Sequence, residues 1–150
     1  MYFALYSENY EAASNMANNF SKRRIYSQIK PDGTMPEEIA RTRPLFYSIY
    51  NLHAMFVMAH LAKRVDVDIW ETENKNSRLR KALDFLVPYT DPKKAWPNPT
   101  IGEADRLKMF AILQMADKAY PDKNYLKLIE KLPLKELKIE RSNLAFPLMR

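Results

Sequence analysis

From Tyr2 to about Ile29, apolar residues at Leu5, Ala12, Met16 and Phe20 recur at the spacing of one helix face, with Asn9 and Asn19 outside the stripe. One long helix is predicted there. No Ser, Thr, Asp or Asn precedes its first turn to bind the free amides, so the pattern begins as if the helix were entered midway. Lys22, Arg23 and Arg24 stand towards its C-terminal end, where positive charge suits the helix dipole, and read as a solvated face. Lys30-Pro31-Asp32-Gly33-Thr34 is turn chemistry: proline presets one dihedral and glycine supplies the positive one. Thr34-Met35-Pro36-Glu37 then matches a capping box for a short helix that must break near Arg41 to Arg43, because a residue before proline is driven out of helical dihedrals.

Pro44 suits the first turn of the next helix, with Arg43 at its cap. Leu45, Phe46, Ile49, Leu52, Met55, Phe56, Val57, Met58 and Leu61 then cover every face as far as about Arg64, which predicts a central helix with neighbours all round. Ser48, Asn51, His53 and His60 interrupt its apolar run, and it is read as a buried helix, not a membrane span. The alternation from Val65 to Trp70 has no partner strand and predicts an extended connection. Ser77 can cap a third helix whose stripe is Leu79, Leu83 and Leu86, ended by Pro88. An ordered, proline-rich loop from Tyr89 to Gly102 follows, then a helix from Glu103 to about Tyr120 stopped by Pro121, and a short amphipathic helix from Asp122 to Lys131. The tail from Leu134 to Arg150 has no firm period. The expectation is a single all-α domain over residues 1–150.

Composition narrows the chemistry. The chain has no cysteine, which excludes disulfides, thiolate nucleophiles and cysteine-bound metals. Its two glycines, Gly33 and Gly102, cannot form a Walker loop or a dinucleotide turn. His53 and His60 lie seven apart on the central helix with no acidic companion there, too few ligands to close a metal site, and read as packed or hydrogen-bonded histidines. A formal charge of +6 favours anionic partners, although no recognition-helix pattern or aromatic-basic platform points to nucleic acid. The first residues, MYFALYSENY, lack the basic and long apolar stretches of an export signal.

The strongest constellation is Arg41-Thr42-Arg43-Pro44-Leu45-Phe46-Tyr47. A helix start presents unpaired amides and a positive dipole end, and two guanidiniums beside it make a cradle for carboxylate or phosphate. Arg43 and Tyr47 are four apart; were Arg43 helical, its charge would favour the tyrosinate, and a tyrosine made acidic in that way can remove a proton and return it. On the plainer alternative, the arginines pair with Glu37 and Glu38 and Tyr47 packs. Tyr50 can line the same cleft or the core. Trp96, beside Lys93 and Lys94, can stack on a sugar face or plug its loop onto the body.

The run from Ile29 to Thr42, with its Asp-Gly, Pro-x-Glu and Arg-Thr elements, then Tyr47, Asn51-Leu52, Val67-Asp68-Ile69-Trp70, Pro88-Tyr89 and Trp96-Pro97, resembles the alginate lyases among the helical-toroid polysaccharide lyases. The resemblance implies an incomplete (α/α) toroid of antiparallel helix pairs with an anionic polysaccharide, alginate or another polyuronate, in its groove. It also implies β-elimination without metal or cofactor, and a periplasmic or secreted setting for the parent family. Arg41 matches the family's arginine and Tyr47 its tyrosine, with Arg43, Tyr50 and Trp96 as substrate-binding candidates and Arg43 as a rival for the arginine role. The family's Asn-His pair has no match, since Asn18-Asn19 is followed by Phe20. By the family order that pair falls before residue 1, so the expectation is the C-terminal portion of such a lyase, truncated at the N-terminus and self-associating through exposed helix faces. The competing expectation is a non-catalytic helical module that binds acidic glycans or partner proteins.

Overall fold

The computed structural model describes residues 1–71, 76–102 and 105–132. Among them there are helices, turns and extended connections and no strand. The α-helices are α1 (Tyr2–Tyr6), α2 (Tyr10–Phe20), α3 (Tyr26–Gln28), α4 (Pro36–Ile39), α5 (Pro44–Ala62), α6 (Arg78–Leu86) and α7 (Lys108–Ala119). The fold is all-α, as the periodicity predicts. Glu103 and the tail from Leu134 to Arg150 lie outside the described residues.

The long first helix is corrected to a broken one. Glu8 adopts a left-handed φ of 57° and ends α1, and Asn9 begins α2 by accepting the Ala12 amide on its side chain at 3.0 Å. The N-cap is therefore Asn9, which the apolar stripe alone passes over. After Phe20 the backbone widens into π geometry over Ser21–Ile25. A uniform α-helix would turn Ile25 about 80° away from the line of Ala13 and Ala17. The wider turn takes up that angle, and Ala13, Ala17, Ile25 and Ile29 all point inwards.

α5 is the centre of the molecule. Leu45, Ile49, Leu52, Met55, Phe56, Ala59 and Ala62 are buried along it, against α2, α4, α6 and α7. Pro44–Val65 is long and apolar enough to cross a membrane by length and composition, but its packed faces make it the core helix of this fold. Its last turn tightens to a 3₁₀ turn at Lys63–Val65, and Asp66, at φ 56°, turns the chain into the extended connection. Trp70 anchors that connection: its ring meets Phe56 at 4.8 Å and Tyr120 at 6.0 Å, both edge-on. Its carbonyl accepts the Tyr120 hydroxyl at 2.9 Å and the Ser77 hydroxyl at 3.0 Å. Ser77 also caps α6, accepting the Arg80 amide. The element after Pro121 is a 3₁₀ turn, Leu126–Lys131, in place of an amphipathic α-helix.

Two further expectations change at the turn before α4. Thr34 does not cap that helix, whose N-cap is Met35 without a side-chain bond. Asp32 instead accepts the Thr34 amide at 3.0 Å and its hydroxyl at 2.7 Å, and these bonds hold the Asp32 carboxyl below the usual carboxylate range. Gly33, buried at φ 88°, presses on α6 so closely that a Cβ would stand 2.3 Å from the Lys81 carbonyl oxygen. The Asp-Gly turn is thus a docking device that fixes where α4, and the arginines after it, leave the core.

Candidate active site

The chain leaves α4 at Ala40, passes through a bend at Arg41, Thr42 and Arg43, and enters α5 at Pro44. Arg43 is the N-cap with non-helical dihedrals, φ −129° and ψ 66°, kept out of the helical region by the following proline. Its carbonyl accepts the Tyr47 amide at 3.0 Å. The Thr42 carbonyl accepts the Ile101 amide at 2.9 Å, which ties the proline-rich loop to the bend.

Because this bend is not helical, four-residue spacing does not decide which arginine meets Tyr47. The Arg43 guanidinium carbon lies over Phe46, 4.6 Å from the ring centroid, and Arg41 covers Tyr47 at 3.4 Å. The expected Arg43–Tyr47 pairing is corrected to Arg41–Tyr47. Arg41 also pairs with Glu38 at 3.3 Å, so part of the plainer alternative holds as well. Arg41 is exposed, and Tyr47 is half-buried with its ring edge-on to Phe46 at 5.2 Å.

Tyr50 sits one turn further along α5, 54% exposed and stacked on Phe46 at 6.2 Å. Lys108, the first residue of α7, places its ammonium 5.9 Å from the Tyr50 centroid. Sequence reasoning passed over Lys108. The periodicity starts this helix at Glu103, with Glu103 and Asp105 in its first turn, and only the observed start at Lys108 puts a cation in a first turn without an acidic residue, where the dipole favours the opposite charge. Asn51 bridges to Gln28 at 3.1 Å and joins α5 to α3 below the bend.

Trp96 is held elsewhere. Its ring packs on Tyr89 at 4.6 Å and Phe85 at 5.9 Å, and its indole nitrogen is buried without a hydrogen-bond partner. It lines a cleft of about 370 Å³ with Leu45, Lys94, Thr100 and Arg106, and Arg41, Arg43, Tyr47 and Tyr50 do not line that cleft. His53 is half-buried and His60 exposed. Partial burial, with Arg64, Lys118 and Lys63 nearby, holds the His60 imidazole below its ordinary value.

The bend therefore gathers two guanidiniums, a helix start and a phenol. The alginate lyase family model matches residues 1–96, a stretch that holds Asp32-Gly33, Arg41, Tyr47 and Trp96. The chain belongs to the alginate lyase family. Its fold matches the crystal structure of an alginate lyase from Bacteroides ovatus with a TM-score of 0.83 and 31% identity over 98% of this chain. The chain spans 40% of the length of that lyase. No curated protein matches it.

Proposed function

We propose that this protein carries the arginine and tyrosine of a polysaccharide lyase that cleaves a uronate-containing polymer such as alginate by β-elimination. The observation that carries the reading is the Arg41 guanidinium seated on the Tyr47 ring at the start of α5, in a chain of this family.

The proton on C5 of a uronate is too weakly acidic to remove while the neighbouring carboxylate keeps its full charge. Arg41, aided by the amide end of α5, offsets that charge and stabilises the enolate-like intermediate. Tyr47 takes the C5 proton. The C5–H electrons become the C4=C5 double bond, the C4–O4 bond breaks with its electrons on O4, and a proton completes the leaving hydroxyl. In a syn elimination Tyr47 returns the proton it took. Arg43 is the second cation at the cradle, Tyr50 offers a ring face to the adjoining sugar, and Trp96 shapes the loop tied to Thr42. These steps use neither metal nor cofactor. The reading places the chain in an (α/α) toroid of antiparallel helix pairs and in a periplasmic or secreted setting. It also has the chain self-associating through α1, where Phe3 is 89% and Tyr6 90% exposed.

A second reading, a non-catalytic module that binds acidic glycans, is favoured by one observation: no Asn-His pair occurs in the sequence. Turnover separates the two. The protein is incubated with alginate, with polyglucuronate and with a neutral glucan, and the ultraviolet absorbance of the conjugated C4=C5 bond is followed. A lyase raises it on a uronate polymer alone. Salt-sensitive retention on the polymer without any rise contradicts the lyase reading and leaves the binding module.

A further inference from the structure

Phe46, Tyr47 and Tyr50 stand at i, i+1 and i+4 on α5, so Phe46 and Tyr50 share one helix face, and Arg43 reaches Phe46 from the N-cap. Their contacts form a ladder. Arg43 lies on Phe46 at 4.6 Å, Phe46 stacks on Tyr50 at 6.2 Å with the planes 21° apart, and Lys108 comes from α7 to stand 5.9 Å from Tyr50. Arg41 on Tyr47 lies beside the first rung. The order is cation, ring, ring, cation.

The Lys108 end of this ladder opposes the local field. α7 starts at a lysine and its first turn contains no acidic residue. A cation at a helix start faces the positive end of the dipole, so this charge is badly placed for the fold alone. Asp105, the nearest acid before α7, has its carboxylate engaged by the Leu107 amide at 2.9 Å. Among the described residues, Lys108 forms no ion pair. A misplaced cation beside an exposed aromatic is complementary to an anion that also has an apolar face. A uronate ring is such a group: its carboxylate suits the ammonium, and the C–H face of its ring suits the aromatic.

We propose that Lys108 and Tyr50 form a second sugar position beside Arg41 and Tyr47, in which Tyr50 carries the ring of a neighbouring uronate and Lys108 takes its carboxylate. The step from Arg43 to Tyr50 is about 10 Å along the helix, so the ladder addresses a polymer with one carboxylate per ring, not a single sugar. The polymer runs along α5 from the bend towards Lys108. This assignment rests on the uronate reading of the Arg41–Tyr47 centre and adds to it a residue, a direction and a second carboxylate.

The test is affinity electrophoresis of the 150-residue chain through gels containing polyuronate, neutral glucan or single-stranded polynucleotide, at moderate ionic strength. Lys108→Gln is compared with Lys118→Gln, which removes the same charge from an exposed site near the other end of α7, and with Lys108→Arg. The expected result is polyuronate binding about three- to five-fold weaker for Lys108→Gln, the size of one solvent-accessible ion pair, with Lys118→Gln close to wild type and Lys108→Arg restoring binding. Equal effects of the two glutamine variants overturn the assignment, as does equal Lys108-dependent retention on the polynucleotide. Lys108-dependent binding without turnover leaves the sugar position and removes the lyase chemistry. Turnover without a Lys108 effect removes the sugar position alone.

Discussion

The guanidinium carbon of Arg41 lies 3.4 Å from the centroid of the Tyr47 ring, although a non-helical bend and Pro44 separate the two residues. Such a contact needs both ends fixed. Tyr47 is fixed by α5, which packs against α2, α4, α6 and α7, and Arg41 by the Asp-Gly turn that seats α4 and by its ion pair with Glu38. Each of these supports can be probed by itself.

Glu38 occupies the guanidinium that a uronate carboxylate would need. Glu38→Gln should therefore strengthen polyuronate binding about two- to five-fold, because the substrate no longer displaces an internal carboxylate. The same change should alter stability by no more than about 1 kcal/mol, since Arg41 is half-exposed although the Glu38 side chain is only 17% exposed. Titration calorimetry and urea unfolding read the two effects. Weaker binding by Glu38→Gln would mean that the hold of Glu38 on Arg41 outweighs its competition with the substrate.

Gly33→Ala tests the docking of the turn. The left-handed φ of 88° alone disfavours alanine, and the new methyl would meet the Lys81 carbonyl, which is backbone and cannot swing aside. A loss of roughly 2 kcal/mol or more is expected, with a lower urea midpoint. An unchanged midpoint would show that the turn does not bear on α6 in solution.

The core should also be alkali-sensitive. Burial pushes the phenols of Tyr120 and Tyr125 well above their ordinary value of 10.0, and the Asp84 carboxylate adds to the shift at Tyr125. A raised value means that the folded state keeps protons that the unfolded chain releases. Their contribution is complete below about pH 10 and stability falls as pH rises beyond it, by up to about 1.4 kcal/mol per pH unit for each group. Tyr120→Phe should remove one such slope. It should also cost about 1 kcal/mol at neutral pH through the lost bond to the Trp70 carbonyl. Urea unfolding between pH 8 and about pH 11 measures both.

Much of this architecture can be read in the chain because the signals are local. Pro44 and the long, largely apolar run after it place α5, and Ser77 places α6. The first helix misleads because its break depends on Glu8 taking a left-handed conformation, and because a π turn keeps Ile25 in line, neither of which an apolar stripe reveals. Thr34 looks like a cap until Asp32 captures its hydroxyl. At the site, the residue types Arg41, Arg43, Tyr47 and Tyr50 were legible, but the partnering was not. Helical spacing has no authority over a bend, so Arg41 and not Arg43 reaches Tyr47. Lys108 escaped because its partner Tyr50 belongs to another helix, and the place of Trp96, named as a candidate, was not legible because its neighbours Phe85 and Tyr89 hold it at a separate cleft.

The central claim is that Arg41 and Tyr47 act together on a uronate, and Tyr47→Phe separates chemistry from binding most directly. Phenylalanine keeps the ring on which Arg41 rests and removes only the hydroxyl. The account predicts that formation of the C4=C5 double bond on polyuronate falls at least about 100-fold while retention on the polymer stays at the wild-type level. Unchanged double-bond formation by Tyr47→Phe would contradict it and take Tyr47 out of the mechanism.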